Sequence, residues 1–278
     1  MTIAQQVDTG AIAGSTQAQA VVKTPWWEHA ALYRYGFVVA ILIVWEIVAP
    51  FISPIFFTSP SNIAIAFYET TVSGELPYFL AQSLEVMVYG LVTAIVVGIP
   101  LGVAMARIRR LDWALDLPIN ALYATPLVAV VPLLVLWFGI YLKAKIIVVF
   151  LFAVFPILIN TYQGVRECDK GMIEVAQSFR SSEWRMWRDV LLPFAVPYII
   201  AGLRLSIGRA VLGVVVAEFF GSEGGLGVMM VQAAGRYQVD IVFSGLIIFA
   251  VMTLAMTAAV QVLENRLSLW RPQKAGGE

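Results

Sequence analysis

Six long apolar stretches constrain this sequence more than any other feature. They cover residues 35–52, 84–106, 113–139, 144–162, 196–219 and 241–263. A helix needs about 20 mostly apolar residues to cross a bilayer, and these stretches are of that length. The hydrophobic content is 60% and the charged content 13%, whereas soluble domains average about 45–50% and about 25%. The sequence therefore predicts an all-α integral membrane protein with six transmembrane helices.

The basic residues are unevenly distributed between the two sides of this predicted topology. Thirteen of the 18 Lys and Arg residues fall on the side of the two termini, and only three fall on the other side. Because cytoplasmic segments carry the excess of Lys and Arg, we expect both termini to be cytoplasmic. The expected organisation is a cytoplasmic arm over 1–34, a membrane domain over 35–270 and a cytoplasmic tail over 271–278. The arm lacks the basic start and apolar core of a signal peptide, so we expect no cleavage.

Few residues suggest catalysis or cofactor binding. His29 and Cys168 are the only His and Cys, which excludes a disulfide within the chain and a His/Cys zinc site. The glycine-rich segment 221–227 lacks the Gly-Lys-Ser/Thr ending of a phosphate-binding loop, and we interpret it as an external turn or a gate hinge. The net charge of zero gives no reason to expect a nucleic-acid partner. We expect neither an enzyme nor a bound cofactor.

The predicted cytoplasmic loop over 166–193 combines many charges with helical apolar spacing. Four apolar residues recur at that spacing: Met172, Val175, Ala176 and Phe179. Ser182 is placed to cap a second helix from Glu183 to Leu191. We expect two short helices whose apolar stripe packs on the chain's own spans. Four polar residues would then face the cytosol: Glu174, Gln177, Ser178 and Ser181. The alternative is a loop that merely lies on the membrane interface.

This loop resembles a known motif. Glu174-Val175-Ala176, then Arg180, then Leu192-Pro193 resemble the EAA motif of binding-protein-dependent ABC importer permeases. Three further runs look like the subfamily that handles nitrate, sulfonates, taurine and bicarbonate: 136–139, 202–210 and 216–227. Two residues depart from the motif, Val175 in place of Ala and Arg180 in place of Gly. If the bend there requires a positive φ, a side chain at this position costs about 1 kcal/mol.

The resemblance implies a type I ABC importer permease in the bacterial inner membrane, with N- and C-termini in the cytoplasm. It implies coupling helices that dock a cytoplasmic ATPase subunit, which alone binds ATP. The implied docking residues are Glu174, Val175, Ala176, Gln177, Arg180, Ser181 and Ser182. The other implied partners are a second permease copy, with a homodimer favoured, an extracytoplasmic solute-binding protein and the lipid bilayer.

Charged residues within the spans are candidates for a solute path. An Arg near the middle of a membrane helix costs about 2.5–3.5 kcal/mol, so Arg204 and Arg209 require a partner or a water-filled cavity. Glu46 and Glu218 are candidate partners, and all four residues are candidates for the path of an anionic solute. The alternative is a structural ion pair. The same span carries a stripe of small residues at helical spacing: Gly202, Ser206, Ala210, Gly213 and Ala217. Such a stripe permits close helix contact, and we expect this helix at the centre of a dimer.

Two other function classes remain open from the sequence. An ion-coupled secondary transporter would use Glu46, Arg204, Arg209 and Glu218 as a proton relay, and such proteins carry internal repeats, of which the sequence shows none. A membrane scaffold protein would leave the proline-kinked spans and the buried Arg residues without explanation.

Overall fold

The computed structural model describes residues 30–220 and 222–267. Within these residues, eleven α-helices follow one another: α1 (Ala30–Val48), α2 (Pro60–Val72), α3 (Glu75–Arg107), α4 (Arg109–Ala124), α5 (Leu127–Phe138), α6 (Leu142–Arg166), α7 (Lys170–Ser178), α8 (Glu183–Met186), α9 (Leu192–Phe219), α10 (Leu226–Gly235) and α11 (Val239–Leu267). A π-helical turn, Trp187–Leu191, lies between α8 and α9. The predicted all-α membrane fold is confirmed. The tail over 271–278 and most of the arm over 1–34 lie outside the described residues.

The chain divides into two compact units, the first ending at Ile47 and the second beginning at Val48. Within the first unit, α1 is apolar along its length, with the half-buried Glu46 near its end. The second unit contains the remaining helices and the whole of the predicted coupling loop. Its first long helix, α3, follows Gly74, whose φ of 82° lies in the left-handed region that favours glycine.

The predicted spans differ in how they are built. Four helices of the described chain are long and apolar enough to cross a membrane: α3, α6, α11 and the continuous helix Glu183–Phe219. The predicted span 113–139 is instead two helices, α4 and α5, bent by 97° at their junction. Pro126 causes this break, because it lacks an amide donor and restricts Thr125 to extended backbone with ψ of 134°. The predicted span 35–52 contains the shorter apolar helix Tyr35–Phe51.

The core of the second unit is built around α6, which contacts α3 and α9 more extensively than any other helices contact each other. Glycines allow the backbones to approach closely. A Cβ added at Gly102 of α3 would lie 2.6 Å from the Leu158 carbonyl oxygen, and one at Gly202 of α9 would lie 2.8 Å from the Pro156 carbonyl oxygen. These two spans are therefore fixed against α6 by contacts that a side chain would prevent.

The small-residue stripe of α9 packs within the chain. All five of its members are buried: Gly202, Ser206, Ala210, Gly213 and Ala217. A Cβ added at Gly213 would lie 3.1 Å from the Cα of Val149 in α6. The close contact of this stripe is thus with α6 of the same chain, and the expectation that this helix lies at the centre of a dimer stays a prediction.

The bundle has two ends, which we name by their contents. The loop end carries α7, α8, the last turns of α3 and α6, and the first turns of α9. The far end carries the first turns of α3 and α6, the last turn of α9, and the start of α10. A contact between Arg107 and Glu183 joins helices at the loop end, and a hydrogen bond between Ser83 and Glu218 joins helices at the far end.

Candidate functional site

The predicted loop forms a helix that ends in a tight turn at Arg180. The Asp169 side chain caps α7 by accepting a hydrogen bond from the Gly171 amide at 2.8 Å. After α7, the Arg180 amide donates to the Gln177 carbonyl at 2.8 Å and the Ser181 amide donates to the Ala176 carbonyl at 3.1 Å. These two bonds define a Schellman motif, whose left-handed residue is usually glycine.

Arg180 occupies that left-handed position, with φ of 50°. The sharp bend between the two loop helices is therefore present although Arg180 replaces the motif glycine. A side chain in this conformation costs about 1 kcal/mol relative to glycine. The turn places the exposed Arg180 side chain between α7 and α8.

The second loop helix is continuous with the following span. Ser182 caps α8 as predicted, its hydroxyl oxygen accepting a hydrogen bond from the Arg185 amide at 3.4 Å. We expected a separate helix from Glu183 to Leu191, and this is corrected: α8 passes through the π turn directly into α9. Proline has no amide hydrogen, so Pro193 cannot donate the helical hydrogen bond to the Asp189 carbonyl four residues earlier. The π turn lies beside this missing bond.

The apolar residues of α7 point in two directions. Ile173 and Ala176 pack on a small buried cluster of Cys168, Met186 and Leu191. The other apolar side chains of α7 and of the residue that follows it are largely exposed: Met172 at 52%, Val175 at 57% and Phe179 at 81%. We call these three residues the exposed apolar face. We expected the whole apolar stripe of α7 to pack on the chain's own spans, and this expectation is corrected. From α7, only Ile173 and Ala176 pack on the buried cluster.

Polar contacts at the loop end connect the loop helices to the spans. Arg107, the last residue of α3, forms an ion pair with Glu183, the first residue of α8, and its guanidinium carbon lies 5.6 Å from the Trp187 ring. The Tyr198 hydroxyl of α9 donates to the Glu167 carboxylate at 2.6 Å. Sequence reasoning missed the pair of Arg107 and Glu183, because no spacing rule connects residues 76 positions apart.

A second polar group at the loop end joins α4 to α6. The Tyr162 hydroxyl donates a hydrogen bond to the Asp112 carboxylate at 2.7 Å, and Arg166 lies 3.5 Å from the other oxygen of that carboxylate. The bent helix α4 is thereby attached to the central helix of the bundle.

Of the four predicted path residues, the three in the second unit occupy separate places. Arg204 forms an ion pair with Glu264 of α11, which the sequence analysis did not consider. Glu218 is 2% exposed and bonded at the far end to Ser83. Glu46 belongs to the first unit. The expected pairing of Arg204 with Glu218 is therefore corrected.

Arg209 differs from Arg204. Its side chain is exposed, and its guanidinium carbon lies 6.0 Å from the centre of the Tyr123 ring of α4. Among the described residues it forms no ion pair. The neighbouring Gly208 is also exposed, and a Cβ added there would meet open space. Within the described residues, the Arg209 guanidinium therefore lies near an aromatic ring and is not paired with a carboxylate.

Comparison with known proteins identifies relatives of this chain. Residues 98–269 match the family described as "Binding-protein-dependent transport system inner membrane component". The chain is 35% identical over 94% of its length to the putative aliphatic sulfonates transport permease protein SsuC of Bacillus subtilis, of which it covers 96%. It is 33% identical over 84% of its length to the taurine transport system permease protein TauC of Escherichia coli, of which it covers 88%.

Solved structures share the fold. The MetNI methionine ABC transporter has a chain that aligns with 68% of this chain and 94% of its own length, with a TM-score of 0.60 and 19% identity. The relatives are transport permeases and not enzymes. The four long apolar helices agree with a multi-pass protein of the inner membrane. Taken with the EAA-like loop and the helical bundle behind it, these matches show that the chain belongs to the ABC importer permeases of the binding-protein-dependent family, of the sulfonate and taurine type.

Proposed function

We propose that this chain forms the membrane path of an ATP-driven importer and takes up a small anionic solute from an extracytoplasmic binding protein. A cytoplasmic ATPase subunit docks on the exposed apolar face of α7 and on the turn at Arg180, and it alone binds ATP. The observation that carries this proposal is the exposed apolar face itself, because three large apolar side chains stand uncovered on a charged loop. The polar residues Glu174, Gln177, Ser181 and Ser182 surround the same contact.

The loop helices are connected to the spans in a way that suits the transmission of motion. The helix that begins at Glu183 continues into α9, and the pair of Arg107 with Glu183 connects it to α3. A displacement of the turn at Arg180 would therefore move α9 and α3 together as rigid elements. Closure of two ATPase subunits around ATP would draw the two loops toward each other and change the opening between the spans.

Arg209 supports the proposal of an anionic solute. Facing lipid near the middle of α9 would cost this guanidinium about 2.5–3.5 kcal/mol. A water-filled path between two permease copies removes that cost, which favours a homodimer with the Arg209 face of α9 toward the path. A guanidinium group binds sulfonate or carboxylate oxygens through two parallel hydrogen bonds. The names of the relatives favour an aliphatic sulfonate or taurine as the solute.

Uptake of a sulfonate tests the proposed function. Membrane vesicles containing the chain with its ATPase and binding protein are expected to accumulate taurine or a short alkanesulfonate only when ATP is supplied. The rate of accumulation of labelled solute is the measurement, and vesicles without the ATPase subunit are the control. Uptake that needs no ATP and stops on addition of a protonophore would establish the secondary transporter instead.

We further propose that the loop end is cytoplasmic. It carries five Arg residues, Arg107, Arg166, Arg180, Arg185 and Arg188, whereas Lys143, Lys145 and Arg236 lie at or near the far end. A thiol introduced by Ser73→Cys, beside the start of α3, is expected to react with an impermeant reagent in whole cells. Ser73 is exposed and avoids the left-handed backbone of Gly74.

The matched control for orientation is Arg188→Cys at the loop end, which is expected to react only in inverted vesicles. Cys168 contributes little background labelling, because burial and the neighbouring Asp169 raise the pKa of its thiol. The opposite pattern, with Arg188→Cys labelled in whole cells, would reverse the proposed topology.

A further inference from the structure

The glycine-rich segment at the far end encloses a buried carboxylate. Glu218, near the end of α9, is 2% exposed, and Ser83 of α3 is fully buried beside it. The Ser83 hydroxyl donates to one oxygen of the Glu218 carboxylate at 2.8 Å, and the Gly227 amide donates to the other at 2.7 Å. The Ser83 oxygen also accepts a hydrogen bond from the Leu226 amide at 2.8 Å.

These bonds cap α10 with side chains from other helices. The first amides of a helix have no partners within it, and a neighbouring side chain of the same segment usually supplies them. Here, the Leu226 and Gly227 amides of the first turn are bound by Ser83 of α3 and Glu218 of α9. An ordinary cap joins a helix to the loop before it. This cap instead joins α10 to two other helices, α3 and α9.

The glycines of this segment allow a close approach to the carboxylate. A Cβ added at Gly225 would lie 2.0 Å from a carboxylate oxygen of Glu218, and one at Gly227 would lie 2.7 Å from the Glu218 Cβ. Gly225 also has φ of 118°, a conformation that other residues rarely adopt. A hinge needs room to move, whereas these glycines are in contact with buried atoms.

A buried lysine fixes the segment to the central helix as well. Lys145 of α6 is 8% exposed and donates to the Gly224 carbonyl at 2.9 Å. The Ser222 hydroxyl donates to the same carbonyl at 2.8 Å. Because Lys145 is buried, breaking such a bond would leave a polar group unpaired away from water, which opposes independent movement of the segment.

We propose that Ser83 and Glu218 form an interhelical cap that fastens α10 to α3 and α9, so that the three helices move as one body when the far end opens. Ser83 and Glu218 are positioning residues in this proposal and do not touch the solute. The described part of the glycine-rich segment, 222–227, is in this proposal a packed joint between helices, whereas the sequence predicts an external turn or a gate hinge. The proposal extends the function proposed above, but it does not depend on the identity of the solute.

Amide hydrogen exchange in the assembled complex tests the cap. The Leu226 and Gly227 amides are expected to be protected, and Ser83→Ala is expected to speed exchange of the Leu226 amide about tenfold or more, because a buried hydrogen bond is lost. The matched control is Ser206→Ala, which removes another fully buried hydroxyl whose bond is to the Leu203 carbonyl of its own helix. Unprotected amides in the parent, or unchanged exchange in Ser83→Ala, would overturn the proposal.

A disulfide across the joint tests whether the helices move together. A Cβ added at Gly224 would lie 2.8 Å from Cδ of Gln82, which makes Gln82→Cys with Gly224→Cys a candidate pair whose disulfide is first verified by mass spectrometry. In a Cys168→Ser background, oxidation is expected to leave ATP-driven uptake unchanged. Loss of uptake that a reductant restores would establish a hinge and overturn the proposal. A Cys168→Ser parent without ATP-driven uptake would contradict the proposed function alone, since exchange reports the cap without transport.

Discussion

Phe179→Asp is expected to detach the ATPase subunits from an otherwise intact membrane domain. Phe179 is 81% exposed, so its replacement removes no contact within the chain that would hold the fold together. If the proposed partner covers this side chain, an unpaired carboxylate buried there costs about 3 kcal/mol or more. That corresponds to a weakening of binding by about two orders of magnitude. Co-purification of the ATPase with the tagged permease is the measurement, together with uptake of labelled solute.

The control for this prediction is Phe179→Leu, which keeps an apolar side chain at the same position and is expected to retain the ATPase. Ala176→Asp is a less specific probe, because Ala176 packs on the cluster around Met186 and a charge there disturbs the loop itself. Full co-purification and coupled uptake in Phe179→Asp would show that the exposed apolar face is not the docking surface, and the proposed coupling would fail with it.

Arg209→Lys is expected to lower uptake about tenfold or more while the complex remains assembled. Lys keeps the positive charge but loses the planar pair of donors that binds two oxygens of one anionic group. The reason to expect a specific effect is that Arg209 is exposed and lies over the Tyr123 ring instead of in an ion pair. The uptake rate at saturating binding protein is the measurement, with the amount of assembled complex determined in parallel.

Arg204→Lys is the matched control on the same helix, five residues earlier. It retains the charge beside Glu264 and is expected to leave uptake unchanged, because its partner belongs to the chain itself. Unchanged uptake in Arg209→Lys would remove the support for a solute contact. Loss of the assembled complex in that variant would instead assign Arg209 a structural role between the permease copies.

Apolar length and motif spacing predicted the helical membrane fold well. Four of the six apolar stretches correspond to the long helices α3, α6, α9 and α11, because hydropathy over about 20 residues depends on the bilayer and not on partners. The break at Pro126 was visible in the sequence, yet its angle was not, since a proline in a membrane helix causes anything from a slight bend to a complete stop. The 97° bend depends on how α4 and α5 pack.

The site was predicted in outline, and its contacts were not. The Asp169 and Ser182 caps follow local rules, and only Ser182 was predicted. The direction in which each apolar residue of α7 points depends on the turn at Arg180, which reverses the chain onto α8. The ion pairs of Arg107 and Arg204 connect distant parts of the chain, and a single sequence carries no signal for such pairs. For the same reason, the sequence does not predict that Gly225 and Gly227 lie against the Glu218 side chain, where a Cβ would have no room.

The π turn between α8 and α9 determines how far the side chains of α8 are rotated about the helix axis relative to those of α9. Each residue of an α-helix advances the side-chain direction by about 100°, whereas the five residues Trp187–Leu191 follow the wider winding of a π-helix. That winding therefore determines the rotation about the helix axis between Trp184, with the turn at Arg180 before it, and Arg209. If α7 docks the ATPase and Arg209 contacts the solute as proposed, the insertion or deletion of one residue in this turn would rotate these two surfaces relative to each other without breaking either helix. The number of residues between the EAA-like loop and Arg209 would then matter for function in its own right.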